Sequence, residues 1–230
     1  MSAMKRSRRI INLLTLFPFA AAMVALALAP DEIPAHWGFS GEADRMGSKW
    51  ELLLWPGIIL LLRLLLGGIE KLVREKDREG EKNARYIASS TIAALALMDF
   101  LSLYFMRFSI SRDSDIDDYN SAIWQISMSL AGLSLIPYGN MLPKLRLNST
   151  VGLRTRYSVK NEETWALCQR FGGKSMIAAG VLIIICAQLM PDIRSFIALL
   201  AVTAIMLIAD CRYAKWAYYK TLGNRKEDGQ

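Results

Sequence analysis

The sequence predicts an all-α, polytopic membrane protein of six transmembrane helices with both termini cytoplasmic, and three observations predict it. Six apolar stretches punctuate the 230 residues, the chain is 53% hydrophobic, and its Lys and Arg residues are sorted into alternate linkers. Most of the stretches approach the ~20 residues that cross the hydrocarbon at a helical rise of about 1.5 Å. Backbone polar groups in lipid need partners within their own segment, so these stretches are read as helices. Of the 28 Lys and Arg residues, 22 fall on the N-terminus, the linkers after spans two and four, and the tail. The opposite side holds Arg45, Lys49, Arg112 and Arg194, a bias that puts the basic side in the cytoplasm.

Span one, Ile10 to Ala29, follows Lys5, Arg6, Arg8 and Arg9. It ends on Ala27-Leu28-Ala29, which resembles a signal-peptide cleavage triplet, but the apolar run is long for that role and Pro30 would follow the cut; the span is read as uncleaved. The linker from Pro30 to Trp50 contains two prolines and three glycines and reads as a compact, rigid outer loop, with Trp37 and Trp50 as interfacial anchors. Spans two and three, Leu52 to Ile69 and Tyr86 to Ser109, enclose a charged linker, and span four runs from Ala122 to Leu142. Pro18, Pro56 and Pro137 mark kinks or helix starts, while Gly132, Gly172, Gly173 and Gly180 permit close helix approach. The inner linker, Pro143 to Lys174, opens with an irregular stretch around Gly152. A short interfacial helix is then expected near 161–171, with Asn161 as its cap, Glu162 and Glu163 in its first turn, and Trp165, Cys168 and Phe171 along one side against the bilayer. Spans five and six are Ser175 to Met190 and Ser195 to Cys211, and 212–230 is a cytoplasmic tail. No room remains for a separate soluble domain, so residues 1–230 form a single membrane domain.

A net charge of +7 and a pI near 9.4 are explained by juxtamembrane linkers facing anionic lipid, which gives no reason to expect nucleic acid. Cys168, Cys186 and Cys211 all fall on the cytoplasmic side or within spans, so no disulfide is expected. Enzyme signatures are missing: there is no His-Glu-x-x-His, no Gly-x-Ser-x-Gly and no Gly-rich phosphate loop, and the single histidine, His36, removes the commonest general base. The chain is therefore read as a non-enzyme without a cofactor. A metal at His36 would need Glu32, Glu42 or Asp44 as oxygen ligands; the reading preferred here is a hydrogen bond within the outer loop and no metal. Arg63 and Asp99 lie at comparable depths, roughly 15 to 18 Å into spans two and three at helical rise. They are expected to pair, and their alternative use is the polar pathway of a small-solute or ion transporter or channel.

At the inner end of span four the chain reads Gly139-Asn140-x-x-Pro143-Lys144-x-x-x-Asn148-x-x-x-Gly152-Leu153-Arg154-Thr155, then Asn161-Glu162-Glu163-Thr164-Trp165 and Arg170-x-Gly172-Gly173. This pattern resembles the SdpI family of bacterial membrane proteins, the immunity proteins against the SdpC toxin. The outer loop, Pro34-x-His36-Trp37-x-x-x-Gly41-Glu42-x-Asp44-Arg45, resembles the module of unknown function that precedes that motif in the family. The likeness covers about residues 30–50 and 136–190. It departs at Arg156-Tyr157-Ser158, where the family often has Pro-Trp-Thr, and at Gln169, a position that is commonly basic or histidine.

The resemblance implies a multi-pass protein of the bacterial plasma membrane that senses or neutralises a secreted antimicrobial peptide. A ligand-facing outer loop would carry Pro34, His36, Trp37, Gly41, Glu42 and Asp44. An inner motif of Asn140, Asn148, Gly152, Arg154, Thr155, Asn161, Trp165 and Arg170 would meet a cytoplasmic repressor. Expected partners are thus membrane lipids, a secreted peptide toxin and a transcriptional repressor. Arg154 is expected to be the centre of the inner linker, its planar five-donor guanidinium tying together carbonyls at helix ends after the turn at Gly152.

Overall fold

The computed structural model of the chain describes residues 3–38, 43–110 and 116–227. Helix α1 (Ala3–Leu28) leads into an antiparallel hairpin of β1 (Glu32–Trp37) and β2 (Ala43–Ser48), and a 3-10 turn at Lys49–Leu53 runs directly into α2 (Leu54–Lys76). Then follow α3 (Gly80–Ile110), α4 (Ile116–Met141), α5 (Glu162–Leu189) and α6 (Ile193–Glu227). Among the described residues five segments are long and apolar enough to cross a membrane: Met4–Leu28, Lys49–Lys76, Gly80–Ile110, Glu162–Leu189 and Ile193–Gly223. Helix α4 has the length but is interrupted by Gln125, Ser127, Ser129, Ser134 and Asn140, which dilute its hydropathy.

Three expectations change. The outer loop is a hairpin, with Glu32 opposite Ser48, Ile33 opposite Gly47 and Trp37 opposite Ala43, and with register shifts around His36. Pairing satisfies its backbone donors and acceptors locally, while Ile33, 2% exposed, turns under the hairpin onto Leu52 and Met106. The separate interfacial helix near 161–171 does not exist: α5 continues unbroken from Glu162 to Leu189. Gly172 and Gly173 lie within that helix and allow the close approach expected of them, Gly172 against Leu153 and Gly173 against α4. The linker between α2 and α3 shrinks to Asp77, Arg78 and Glu79, because both helices extend past the apolar stretches. Lys71 faces Glu75 at 4.0 Å, and Arg74 pairs with Glu70 across one turn and with Glu81 at 3.2 Å, so the charged ends remain helical.

The helices pack as two groups of three. Helix α3 lies against α1 and α2, with Ile11, Ile59, Ala88 and Leu95 in the shared core. Helix α5 lies against α4 and α6, and a thinner α3–α4 contact joins the groups. Next to that seam is an apolar cavity of about 290 Å³, bounded by Ile87, Thr91, Leu135 and Tyr138 among others. The outward faces are strongly apolar: Leu13, Leu61, Leu189 and Ile205 are each more than 65% exposed. An apolar exterior of this extent is stable only against lipid or another apolar surface.

Contact between α4 and α5 is made by backbone on backbone. A Cβ on Gly132 would lie 2.6 Å from the Gly180 carbonyl oxygen, and one on Gly139 would lie 2.7 Å from that of Gly173. The reverse substitutions are tighter still, at 2.5 Å in both cases. Each partner is a backbone atom, so relief requires moving a helix. Gly173→Ala or Gly180→Ala should therefore lower the stability of the detergent-solubilised protein by about 1–3 kcal/mol. Gly68→Ala, where a Cβ meets nothing within 4 Å, should leave it unchanged. Thermal unfolding of the three variants checks this.

Candidate functional site: an inner loop clamped between two helix groups

The segment from Leu142 to Asn161 has little regular structure, and side chains rather than ladders satisfy its backbone. A 3-10 turn at Leu142–Lys144 ends α4, after which two carboxamides hold the chain like backbone surrogates. Asn83 of α3, fully buried, accepts from the Arg146 N–H at 2.8 Å and donates to the Arg146 carbonyl at 3.2 Å. Gln169 of α5, also fully buried, accepts from the Leu153 N–H at 2.9 Å and donates to the Leu153 carbonyl at 3.1 Å. One pin stands in each helix group, so the loop ties the two together across the seam. Two further bonds reinforce the arrangement. Asp77, at the α2–α3 turn, accepts from the Ser149 N–H at 2.9 Å, and the Trp165 indole donates to the Leu145 carbonyl at 2.9 Å.

Within the loop, Asn148 organises one turn and Thr155 the next. The Asn148 carbonyl oxygen of the side chain accepts from Thr150 and Val151 at 2.9 and 2.7 Å, while its amide donates to Arg146. Thr155 Oγ1 accepts from the N–H groups of Tyr157 and Ser158, and Ser158 Oγ returns a bond to the Leu153 carbonyl at 2.8 Å. Between them Gly152 has φ +119°, a left-handed conformation that glycine alone adopts freely. A Cβ there would also lie 2.8 Å from Gln169 Oε1 and 2.9 Å from the Trp165 ring. The Arg154 guanidinium donates to the Asn148 carbonyl, closing the loop on itself rather than spanning the ends of neighbouring helices.

Helix α5 begins where Asn161 Oδ1 accepts from the Thr164 N–H at 2.8 Å. Its first turns face inward. Trp165 is 2% exposed and lies in the core with Val73, Ile87 and Leu145, which corrects the expectation that it presses a surface helix onto the bilayer; its N–H is drawn to a loop carbonyl that would otherwise be buried unpaired. Phe171 stacks on Tyr213 of α6 with ring centroids 4.0 Å apart, Thr164 meets Thr221 at 2.8 Å, and Ser175 donates to Asp210 at 2.7 Å. Arg170 is exposed beside the loop, and Asn140 is exposed on α4, away from this network.

At the other end of the bundle the hairpin is braced by charge. Arg45 forms a two-pronged contact with Glu51 at 2.9 and 2.8 Å, and Lys49 reaches Asp31 at 2.8 Å. The Lys49 ammonium, hydrogen-bonded to Asp31, holds that carboxyl below the usual carboxylate range. His36 Nδ1 lies 2.6 Å from Asp44 Oδ1, with both side chains at least half exposed. Pro34 stands opposite Met46 in the ladder, while Gly41 and Glu42 lie outside the described residues.

Arg63 and Asp99 do not pair. Both carboxylate oxygens of Asp99 are buried without a hydrogen-bond partner, and the Arg63 guanidinium folds back along its own helix toward Gly67. Equal depth placed them at one level but says nothing about the face each helix turns to its neighbour. Sequence reasoning passed over Asn83, Asp77 and Asp210. Asp210 was visible as an acid in an otherwise apolar run, whereas Asn83 sat within a charged stretch where a polar residue draws no notice. Gln169 was noticed only as a departure from the family pattern, and it carries one of the two pins.

Removing either pin should be costly. Asn83→Ala leaves the Arg146 N–H without its partner, while the Arg146 carbonyl keeps the Asn148 amide, and should destabilise the protein by about 1–3 kcal/mol; Gln169→Ala should do the same at the Leu153 N–H, whose carbonyl keeps Ser158. Limited proteolysis of the 145–160 segment in detergent should show cleavage in both variants at protease levels the parent resists. Arg154→Lys, which keeps the charge and loses the fork, should produce a smaller effect of the same kind.

The comparisons with known proteins agree with this division into two ends. Residues 13–60, covering most of α1, the hairpin and the start of α2, match the domain of unknown function DUF1648. Over 209 residues the chain is 23% identical to the Immunity protein SdpI of Bacillus subtilis (strain 168), covering 90% of this chain and 93% of that one. No solved structure matches. Residues 144–212, which comprise the clamped loop, α5 and the first half of α6, match the SdpI/YfhL protein family model; with its several long apolar helices the chain is similar to that family and fits a multi-pass membrane protein.

Proposed function

We propose that the chain is an immunity protein of the bacterial plasma membrane. It meets a secreted antimicrobial peptide at the hairpin and transmits or stores that event at the clamped loop. The observation that carries this reading is likeness to an immunity protein along nearly the whole chain, 90% of it, with the two matched family regions covering the two structured ends of the bundle. In this reading all six helices cross the membrane, the hairpin faces outward and both termini are cytoplasmic. The charge distribution supports it: the 22 Lys and Arg residues of the termini and long linkers gather at the end carrying the loop, and the positive-inside bias assigns that end to the cytoplasm. A cytoplasmic repressor held at the loop is the further step of the same proposal.

Expression in a Bacillus strain that lacks its own immunity protein should raise survival at least tenfold under challenge with the SdpC killing peptide; equal killing with and without the protein would end the immunity reading. Arg45→Gln breaks the brace to Glu51 and should weaken protection while membrane accumulation is unchanged. Orientation is decided separately. In a cysteine-free background, Met46→Cys should react with an impermeant maleimide in intact cells and Lys160→Cys only after lysis. The opposite pattern would reverse the orientation.

A further inference from the structure

Beside the clamped loop the structure contains a groove of about 720 Å³ between the start of α3, the 143–147 turn and the start of α5. Its charge is unbalanced. Arg78, Lys82, Lys144, Arg146 and Arg170 line it, against the acids Glu79 and Glu162. Lys82 is already engaged with Glu79 at 2.7 Å. Among the described residues Lys144, Arg146 and Arg170 make no ion pair; Glu79, already bound to Lys82, is the acid that feels the Arg146 charge, so positive charge is in excess in this one concavity. Like charges gathered this way repel, and nothing in the fold requires them to share a groove.

The cations are also presented from rigid positions. Asn83 pins both peptide groups flanking the Arg146 side chain, and Arg170 adjoins Gln169, the second pin. The groove is amphipathic, with Trp165 at its floor and Tyr86, 37% exposed, on its wall one helical turn beyond Lys82. An aromatic ring at the edge of a spanning helix next to unpaired guanidinium groups matches the level at which phospholipid headgroups meet acyl chains. Arginine donors arranged around a cavity suit phosphate oxygens, which accept several charge-assisted bonds at once.

We propose that this groove is a phosphate-binding site whose principal ligand is the headgroup of an anionic membrane phospholipid, held by Arg146 and Arg170 with Lys144. Occupancy would neutralise the converging charges and brace the loop that joins the two helix groups. The site is distinct from the hairpin and stands whether or not the protein confers immunity.

The test uses the full chain purified in detergent, with thermal unfolding measured after addition of phosphatidylglycerol, of phosphatidylcholine, or of inorganic phosphate. Phosphatidylglycerol should raise the midpoint by several degrees and phosphatidylcholine should not, and in native mass spectra the protein should retain phosphatidylglycerol selectively. In the double variant Arg146→Gln, Arg170→Gln the shift and the retained lipid should be lost, whereas Lys71→Gln with Lys215→Gln, remote from the groove, should keep both. A shift with inorganic phosphate equal to that with phosphatidylglycerol assigns the site to a soluble phosphate and supports the phosphate chemistry while displacing the lipid. Equal shifts with both lipids and none with phosphate, or a groove variant that binds phosphatidylglycerol like the parent, overturns the proposal. Should the double variant fail to fold, the single variants Arg146→Gln and Arg170→Gln decide: each should lower phosphatidylglycerol retention, and retention at the parent's level in both overturns the proposal.

Discussion

The contact on which the rest of the molecule depends is the approach of α4 to α5 through two glycine pairs, Gly132 with Gly180 and Gly139 with Gly173. In lipid, helices are not driven together by burial of apolar surface, because the surroundings are as apolar as the side chains. Close packing of backbones and polar contacts must do that work instead. Seven residues separate the glycines on each helix, two turns, so both pairs fall on one stripe and the antiparallel helices meet along their length. This fixes where α4 ends relative to where α5 begins, and so fixes the gap that the segment from Leu142 to Asn161 must bridge.

That segment solves its problem with side chains. Its path lies against helix ends where water is partly excluded, and an irregular backbone there must find partners for its N–H and C=O groups. Two carboxamides, Asn83 and Gln169, each satisfy both groups of one residue, while the Trp165 indole and the Asp77 carboxylate take a carbonyl and an N–H respectively. Partners on α3 and α5 mean that the loop reads the relative position of the two helix groups. A shift of one helix group against the other would strain the bonds at the pins.

The hairpin end is built differently. Its side-chain bonds lie largely in the open, a hydrogen bond between His36 and Asp44 and the ion pairs Arg45–Glu51 and Lys49–Asp31, and such contacts contribute little individually. What anchors the hairpin is Ile33 on Leu52 and Met106 together with the continuous run from β2 into α2. The hairpin is thus held at its root by packing, whereas the loop is pinned along its length by side chains.

Much of this was legible in the residues. The apolar stretches located the long helices, because hydrocarbon thickness acts on composition alone. Gly152 and the Asn161 cap were legible because backbone conformation and helix termini are local. The pattern of Asn148, Gly152, Arg154 and Trp165 pointed to the loop through family resemblance. Tertiary structure decided the rest. Whether Arg63 meets Asp99 depends on how α2 and α3 are rotated about their axes, and equal depth carries no information about rotation. Whether Trp165 faces lipid or core depends on what lies beside it, and a carbonyl twenty positions away at Leu145 drew it inward. Gln169 and Asn83 acquire their importance from partners distant in sequence, 16 residues for one and 63 for the other, and no local pattern marks a side chain whose role is to stand in for a strand that is not there.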